Sequence, residues 1–580
     1  MNKANPKIFL IFYIILSSFP TIAQNRAKEI TLAQNYLSSR QEVYLAIYPI
    51  KLNSIQGLTK TLSIDKMTGG TLFAYCNTTQ FNEFLKTRMT FEALTPPSML
   101  HPAAMSGGAK SLADWNVYPT YEDYIAMMVQ FEVDYPQLCR LQNLGQSMNG
   151  RDILAVKISD NVSFKEPEPE FLYTSTMHGD ELTGMMLCLR MIDYLLSNYD
   201  SDDEVTELVN SMEIYINPLA NPDGTYYGGN HTVGMATRFN ANSIDLNRNF
   251  PDPEAGLHPD FNPWQQENVV MMNFMFNHNF VLAANMHTGA EVINYPWDTW
   301  PTLHADNGWY IDLSRQYADT VHKYTPSNLS NYLTSFNNGI TNGYQWYTTD
   351  DNRQHYTNYY LNGRETTMEL SMVKTPMAGL MPSYWEANYR SMLGYMEACL
   401  YGFRGQVTDF ETGDPLVAKV EVLNHDTDNS QMYSHPATGY YYRPILSGAY
   451  SLRFSAPGYK DTVTYSQFIV ANGYLVNNIA LRVKTEGIDN IEKNPRQVRV
   501  YPSPFVSDIH ISFLLKKPGR VNFILYNPEG KVASSEFGEF FTTGHQSKTL
   551  TTEHLDAGMY FLLLIFEDAR YSVKVEKAMK

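Results

Sequence analysis

The residues best suited to grip a cation are His178 and Glu181, three positions apart in Thr174-Ser-Thr-Met-His178-Gly-Asp-Glu181. Zinc takes imidazole nitrogen and carboxylate oxygen at roughly 2.0 to 2.2 Å, and a catalytic zinc site uses three protein ligands with water in the fourth position. Two ligands are not yet such a site, and His-x-x-Glu arises by chance on the order of once in a chain of this size. Its weight depends on what accompanies it. His287 follows the apolar run Phe280 to Met286, and Glu369 ends Thr366-Thr-Met-Glu369. A third ligand and a proton acceptor are therefore available if the chain brings these segments together.

The flanking pattern says how that would happen. The extended apolar segment Phe171-Leu-Tyr173 precedes the pair, and Leu182, Met185, Met186, Leu189, Ile192, Leu195 and Leu196 follow at helical spacing. His178 and Glu181 thus stand where a strand gives way to a helix, the place where open α/β sheets bind ligands. Phe280 to Met286 is apolar enough for a central strand, which puts His287 at the sheet's rim. Met212 to Asn217 reads as another strand, running into the turn cluster Pro218 to Gly224. The polar stretch Thr237 to Pro251 has the Asn and Arg density of a binding loop. Alternating strands and helices from about residue 113 to 402 predict an α/β domain with a mixed β-sheet flanked by helices.

At 580 residues the chain is too long for one core. With 44% hydrophobic and 13% aromatic residues it is a folded protein, and a net charge of -17 argues against nucleic acid or an anionic membrane as partner. Lys3 and Lys7, the apolar run Ile8 to Ile15 and Thr21-Ile-Ala23 make residues 1–24 a secretory signal peptide. No later stretch has the ~18 consecutive apolar residues of a membrane span. Four cysteines are too few for a disulfide scaffold, and Cys188 reads as a core residue.

Around the α/β domain the chain divides further. Residues 25–112 predict a small α+β domain and a linker, with strands at Val43 to Tyr48 and Thr71 to Tyr75 and a helix at Gln80 to Arg88. Two roles fit it equally, a pro-segment over the active site and a permanent accessory domain. Thr120 is suited to cap a helix carrying Tyr124, Met127, Met128 and Phe131, and Gly145 to Gly150 is a hairpin turn. Residues 403–483 are strands and turns throughout, a small β-sandwich without a catalytic cluster. A polar linker, 484–497, leads to a second all-β sandwich, 498–580.

Six motifs in order, His178-Gly-Asp-Glu181, Asn221-Pro-Asp-Gly224, Asp245-Leu-Asn-Arg-Asn-Phe-Pro251, His287-Thr-Gly-Ala, Trp346-Tyr347 and Thr367-Met-Glu369-Leu, resemble the zinc metallocarboxypeptidases, and most closely the subfamily of carboxypeptidases N, E and D. In that subfamily a transthyretin-like domain follows the catalytic one, as residues 403–483 do here. The resemblance implies one Zn2+ on His178, Glu181 and His287, with Asp245 holding His178 and Glu369 as general base. It implies Arg238 for the oxyanion, Asn247 and Arg248 for the substrate's terminal carboxylate, and Tyr347 as a closing side chain. Peptide or protein C-termini are then the substrate. Asp298 and Gln354 fall where the subfamily's pocket residues for C-terminal Lys or Arg lie, so a basic preference is expected. There the subfamily's Gly-Gly-Met-Gln-Asp is replaced by Asp351-Asn-Arg353-Gln354-His355, and Arg353 either weakens the pocket's negative potential or points away.

The last domain resembles the C-terminal sorting domain of the type IX secretion system, on Tyr501-Pro-Ser-Pro504, Tyr526-x-x-x-Gly-Lys531 and Gly558-Met-Tyr560. That resemblance implies export through the periplasm of a Gram-negative bacterium, with release or surface attachment, and the secretion machinery as partner. Three alternatives stand beside the peptidase: a diaminopimelate cell-wall peptidase, an acyl-amino-acid deacylase, and an inactive secreted binding protein.

Overall fold

The computed structural model describes residues 25–48, 57–108, 115–484, 496–528, 531–566 and 569–578. The expected signal peptide, most of the 484–497 linker and the Gly530 position of the last turn motif lie outside them.

The amino-terminal domain is α+β as expected. Its four-stranded sheet has the order β2-β3-β1-β4, from β1 (Val43–Tyr48), β2 (Ser63–Thr68), β3 (Thr71–Cys76) and β4 (Thr90–Leu94), with a helix at Thr78–Lys86. β2 and β4 were not expected. β2 carries Ser63, Asp65 and Lys66, and alternation alone does not reveal a strand whose polar residues face another domain.

The α/β domain is built on eight strands: β5 (Cys139–Gln146), β6 (Asp152–Ile158), β7 (Glu170–Ser175), β8 (Glu213–Asn217), β9 (Phe280–His287), β10 (Glu291–Tyr295), β11 (Ile340–Asn342) and β12 (Arg364–Leu370). Their order is β11-β10-β12-β9-β7-β8-β6-β5. β8, β7, β9 and β12 run parallel, β6 is antiparallel to β8 and β5 to β6, and β10 is antiparallel to β12 but parallel to β11, so the sheet is mixed. Every residue of β7, β8 and β9 is buried, as expected of strands covered on both faces.

Side chains alternate across those two faces. Phe171, Tyr173, Leu282, Ala284 and Met286 enter one core with the helices Thr183–Asn198, Asn307–Tyr324 and Met381–Glu397. Leu172 and Ala283 enter the other, with Met271, Met272 and Met275 of the helix Gln266–Phe276. Cys188 lies in the first core, and all four cysteines are buried and unpaired. Thr120 caps the helix Tyr121–Asp134 by accepting from the amide of Asp123 at 3.1 Å.

Residues 402–481 form two packed four-stranded sheets, and the last domain packs a three-stranded sheet on a four-stranded one around Phe513, Phe523 and Leu564. Among the described residues no helix is long and apolar enough to cross a membrane.

Candidate metal centre and substrate pocket

β7, β9 and β12 are parallel neighbours, so their carboxyl ends share one rim of the sheet. The register sets Ser175 beside Met286, and Glu369 beside His287. The β7 loop then turns sharply. Thr176 takes φ 60°, a region β-branched residues avoid, and is held there by its hydroxyl donating to the Glu181 carbonyl at 3.2 Å. Gly179 follows, where a Cβ would meet the Gly224 carbonyl carbon at 2.4 Å. That contact explains the Asn221-Pro-Asp-Gly224 motif. The Asn221 side chain accepts from the Gly224 amide at 2.9 Å and donates to the Met177 carbonyl at 3.1 Å, bracing the loop that presents His178.

Ligand atoms of His178, Glu181 and His287 all lie within 4.8 Å of one another, and all three residues are buried. The two Nδ1 atoms are 3.1 Å apart, and each is 2.8 Å from a different Glu181 oxygen. The outer nitrogens are engaged elsewhere: His178 Nε2 is 2.9 Å from Asp245 Oδ1, and His287 Nε2 is 2.7 Å from the Asn285 carboxamide. Burial pushes the His287 imidazole down to about 4, so it is neutral with a lone pair to offer. Two imidazoles and a carboxylate facing one point, each fixed by an outer partner, are a donor set that fits zinc. Burial would raise Asp245, but Arg238 and His178 outweigh it and hold its carboxyl well below the usual range.

The same cavity contains the other expected residues. Arg238, Asn247, Arg248, Asp298, Tyr347 and Glu369 all line it. Arg238 donates to Glu181 at 3.1 Å and to Asp245 at 3.2 Å. The buried Oε2 of Glu369 has no hydrogen-bond partner, and burial, then the Glu181 charge, push its carboxyl above the usual carboxylate range, which strengthens it as a proton acceptor. Tyr347 packs at the edge of the amino-terminal domain's apolar cluster. The Asp298 carboxylate is held in place, its Oδ1 accepting from Asn294 at 2.7 Å and its Oδ2 from Asn352 at 3.0 Å. A Cβ on Gly343 would lie 1.7 Å from Asp298 Oδ1, so only glycine leaves room for this carboxylate.

Two sequence expectations take a definite form. Gln354 stands behind Asp298 rather than on the cavity wall, donating to its Oδ2 at 2.9 Å. Arg353 points away from the pocket: its guanidinium is buried against Glu365, Nε to Oε1 at 3.1 Å and NH2 to Oε2 at 2.8 Å. Its charge is neutralised there.

Several site residues had no signal in the sequence. Lys374 donates to Glu181 Oε1 at 2.5 Å and pairs with Asp65 at 2.8 Å. Ser63 accepts from Arg238 Nε at 2.6 Å and donates to Asp245. Ser63 and Asp65 belong to β2, and Ile64 and Asp65 of that strand line the cavity, so the amino-terminal domain contributes to its wall. Only long-range packing brings them there.

Residues 124–391 match the family described as zinc carboxypeptidase. Carboxypeptidase M of Mus musculus is 32% identical over 365 residues, covering 60% of this chain and 80% of that protein. The chain belongs to the zinc carboxypeptidase family. Carboxypeptidase D of Homo sapiens, another relative in the family, is 32% identical over 388 residues, which cover 64% of this chain and 27% of that protein. The chain therefore spans about a quarter of the length of the carboxypeptidase D relatives it matches. Among solved structures, the carboxypeptidase A from Helicoverpa armigera is similar with a TM-score of 0.49 and 17% identity, over 61% of this chain and 97% of that one. Residues 499–577 match the family described as a secretion system C-terminal sorting domain.

Proposed function

We propose that the protein is a secreted zinc-dependent carboxypeptidase that removes C-terminal Lys or Arg from peptides or proteins. The observation that carries this is the convergence of His178, Glu181 and His287 in one cavity with Glu369, whose buried Oε2 has no hydrogen-bond partner. A zinc ion on the three ligands would supply Lewis-acid polarisation of a water and of the scissile carbonyl. Glu369 takes the water's proton and delivers it to the leaving amine. Arg238 stabilises the developing oxyanion with its guanidinium. Arg248 and Asn247 bind the terminal carboxylate, which restricts cleavage to the last residue, and Tyr347 closes over it. Asp298, carrying negative charge at the pocket's end, receives the cationic side chain. The match to a sorting domain supports export, with the type IX machinery as partner and release or surface attachment as the end point.

Blocked dipeptides ending in Arg, Lys, Phe or Glu test this. Release of the last residue, loss of activity with a chelator and its return with zinc are expected. A zinc-loaded protein that releases no C-terminal residue would remove the proposal.

Asp298→Ala is expected to lower kcat/KM for Arg-terminated substrates by about 10- to 100-fold while changing a Leu-terminated one little, since one lost charge-assisted contact is worth roughly 1.5 to 3 kcal/mol. Unchanged Arg over Leu selectivity would show that Asp298 does not meet the substrate side chain.

A further inference from the structure

Behind Asp298 lies a second carboxylate with an imidazole between the two. His355 Nδ1 is 3.0 Å from Asp252 Oδ2, and His355 Nε2 is 2.9 Å from the Asp298 amide nitrogen and 3.2 Å from Asp298 Oδ2. His355 and Asp252 are fully buried, and Asp298 is 4% exposed. Asp252 is kept ionised: burial would raise it, but His355 and the amides of Ala255 and Glu254 outweigh that and hold it below its usual value.

This geometry allows two proton states. With Nδ1 protonated and donating to Asp252, Nε2 is a bare acceptor for the Asp298 amide, and the Asp298 carboxylate keeps only its carboxamide donors, Asn294, Asn352 and Gln354. With both nitrogens protonated, Nε2 turns donor and its nearest acceptor is Asp298 Oδ2. The same oxygen then faces an imidazolium from behind and a substrate cation from the front.

We propose that His355 is a specificity-determining residue that sets the charge offered by the side-chain pocket: protonated, it shares Asp298 with the substrate and weakens the preference for C-terminal Arg; neutral, it leaves Asp298 to the substrate. The inference rests on Asp298 receiving the substrate's C-terminal side chain.

The groups facing His355 set where the change occurs. From the segment after Phe250 it meets Asp252, and from the loop after β10 it meets Asp298 and the uncharged Trp297 ring at 5.9 Å. On its own segment, the Asp351 amide reaches Asp252 at 3.4 Å, and Arg353 is turned to Glu365. Burial alone would lower the imidazole, but the bonds and charges of Asp252 and Asp298 outweigh it and raise His355 to about 9. The sign follows: His355 is charged below that value and loses its proton above it, so Arg selectivity rises with pH. A neighbouring charge moves such an equilibrium by about 1 to 3 pH units, so by linkage the rise is about tenfold or more.

The test is the ratio of kcat/KM for an Arg-terminated over a Leu-terminated blocked dipeptide, measured on the zinc-loaded full chain from about pH 7 to about pH 10. Arg stays charged throughout, and effects on the metal site cancel in the ratio. In the unmodified protein the ratio should climb about tenfold or more through about pH 9. In His355→Gln it should be flat, and in Asp252→Asn the climb should move to lower pH. The ratio does not depend on the folded fraction, and Asp252→Asn serves if His355→Gln does not fold. The same climb in His355→Gln, or a flat profile with strong Arg preference in the unmodified protein, would overturn the role of His355 alone. A ratio near one at every pH would remove instead the basic preference of the pocket, and this role with it.

Discussion

Glu369→Gln should lower kcat/KM for C-terminal hydrolysis by about 100- to 10,000-fold, the usual contribution of a positioned general base. The amide keeps the size of the side chain and removes the proton acceptor. Glu369 is not among the three converging ligands, so zinc content by elemental analysis should stay near one ion per chain. His287→Ala breaks the donor set, so activity and zinc should fall together. A Glu369→Gln protein with zinc bound and activity within a few-fold of the unmodified one would remove Glu369 as the base.

The second large effect is on stability. Asp306→Ala should destabilise the joined catalytic and β-sandwich domains by about 3 to 5 kcal/mol, the cost of breaking a buried ion network by removing one partner. Asp306 precedes the helix Asn307–Tyr324 and accepts from Arg364 of β12 at 2.8 Å. From the sandwich it accepts from Arg443 at 3.0 Å and pairs with His425 at 2.8 Å. Asp306, Arg364 and Arg443 have no exposed side-chain surface, so without the carboxylate Arg364 is left charged and without an ion-pair partner, while Arg443 keeps Asp426 at 2.5 Å. Urea unfolding followed by tryptophan fluorescence reads the loss. A midpoint within error of the unmodified protein would show that the network does not hold the domains together.

Its pH dependence has a definite sign. Burial would raise Asp306, but Arg443 and Arg364 outweigh it and hold the carboxyl well below its usual value. A carboxylate lowered on folding contributes stability that is fully present above its unfolded value near 3.9 and is lost as pH falls through the folded value. The gap between the unmodified protein and Asp306→Ala should therefore be level above about pH 4 and close only below it.

The placement of His178 and His287 at strand ends was legible because strand and helix periodicity locates those ends without any tertiary knowledge, while their assignment as zinc ligands came from the resemblance. Phe171 to Tyr173 is apolar throughout and Phe280 to Met286 is apolar but for Asn285, as expected of buried parallel strands, so His178 and His287 were expected at a rim. The family resemblance then implied roles for Asp245, Arg238 and Glu369. What escaped was every group contributed by a segment with no motif: Ser63 and Asp65 from a half-polar edge strand, Lys374 five residues beyond Glu369, and Asp252 behind the pocket.

The sequence alone also left Arg353 between two fates, because a charged residue in a pocket motif carries no sign of which way it turns. Its partner Glu365 is twelve positions on, in β12, and only the packing of that strand against the Asp350 to Tyr356 segment brings the guanidinium onto it. Residue type and spacing thus determined the chemistry, which a few atoms near one point must supply. Tertiary structure decided the electrostatics around it, because buried charges act over several ångströms and their partners come from wherever the chain folds back.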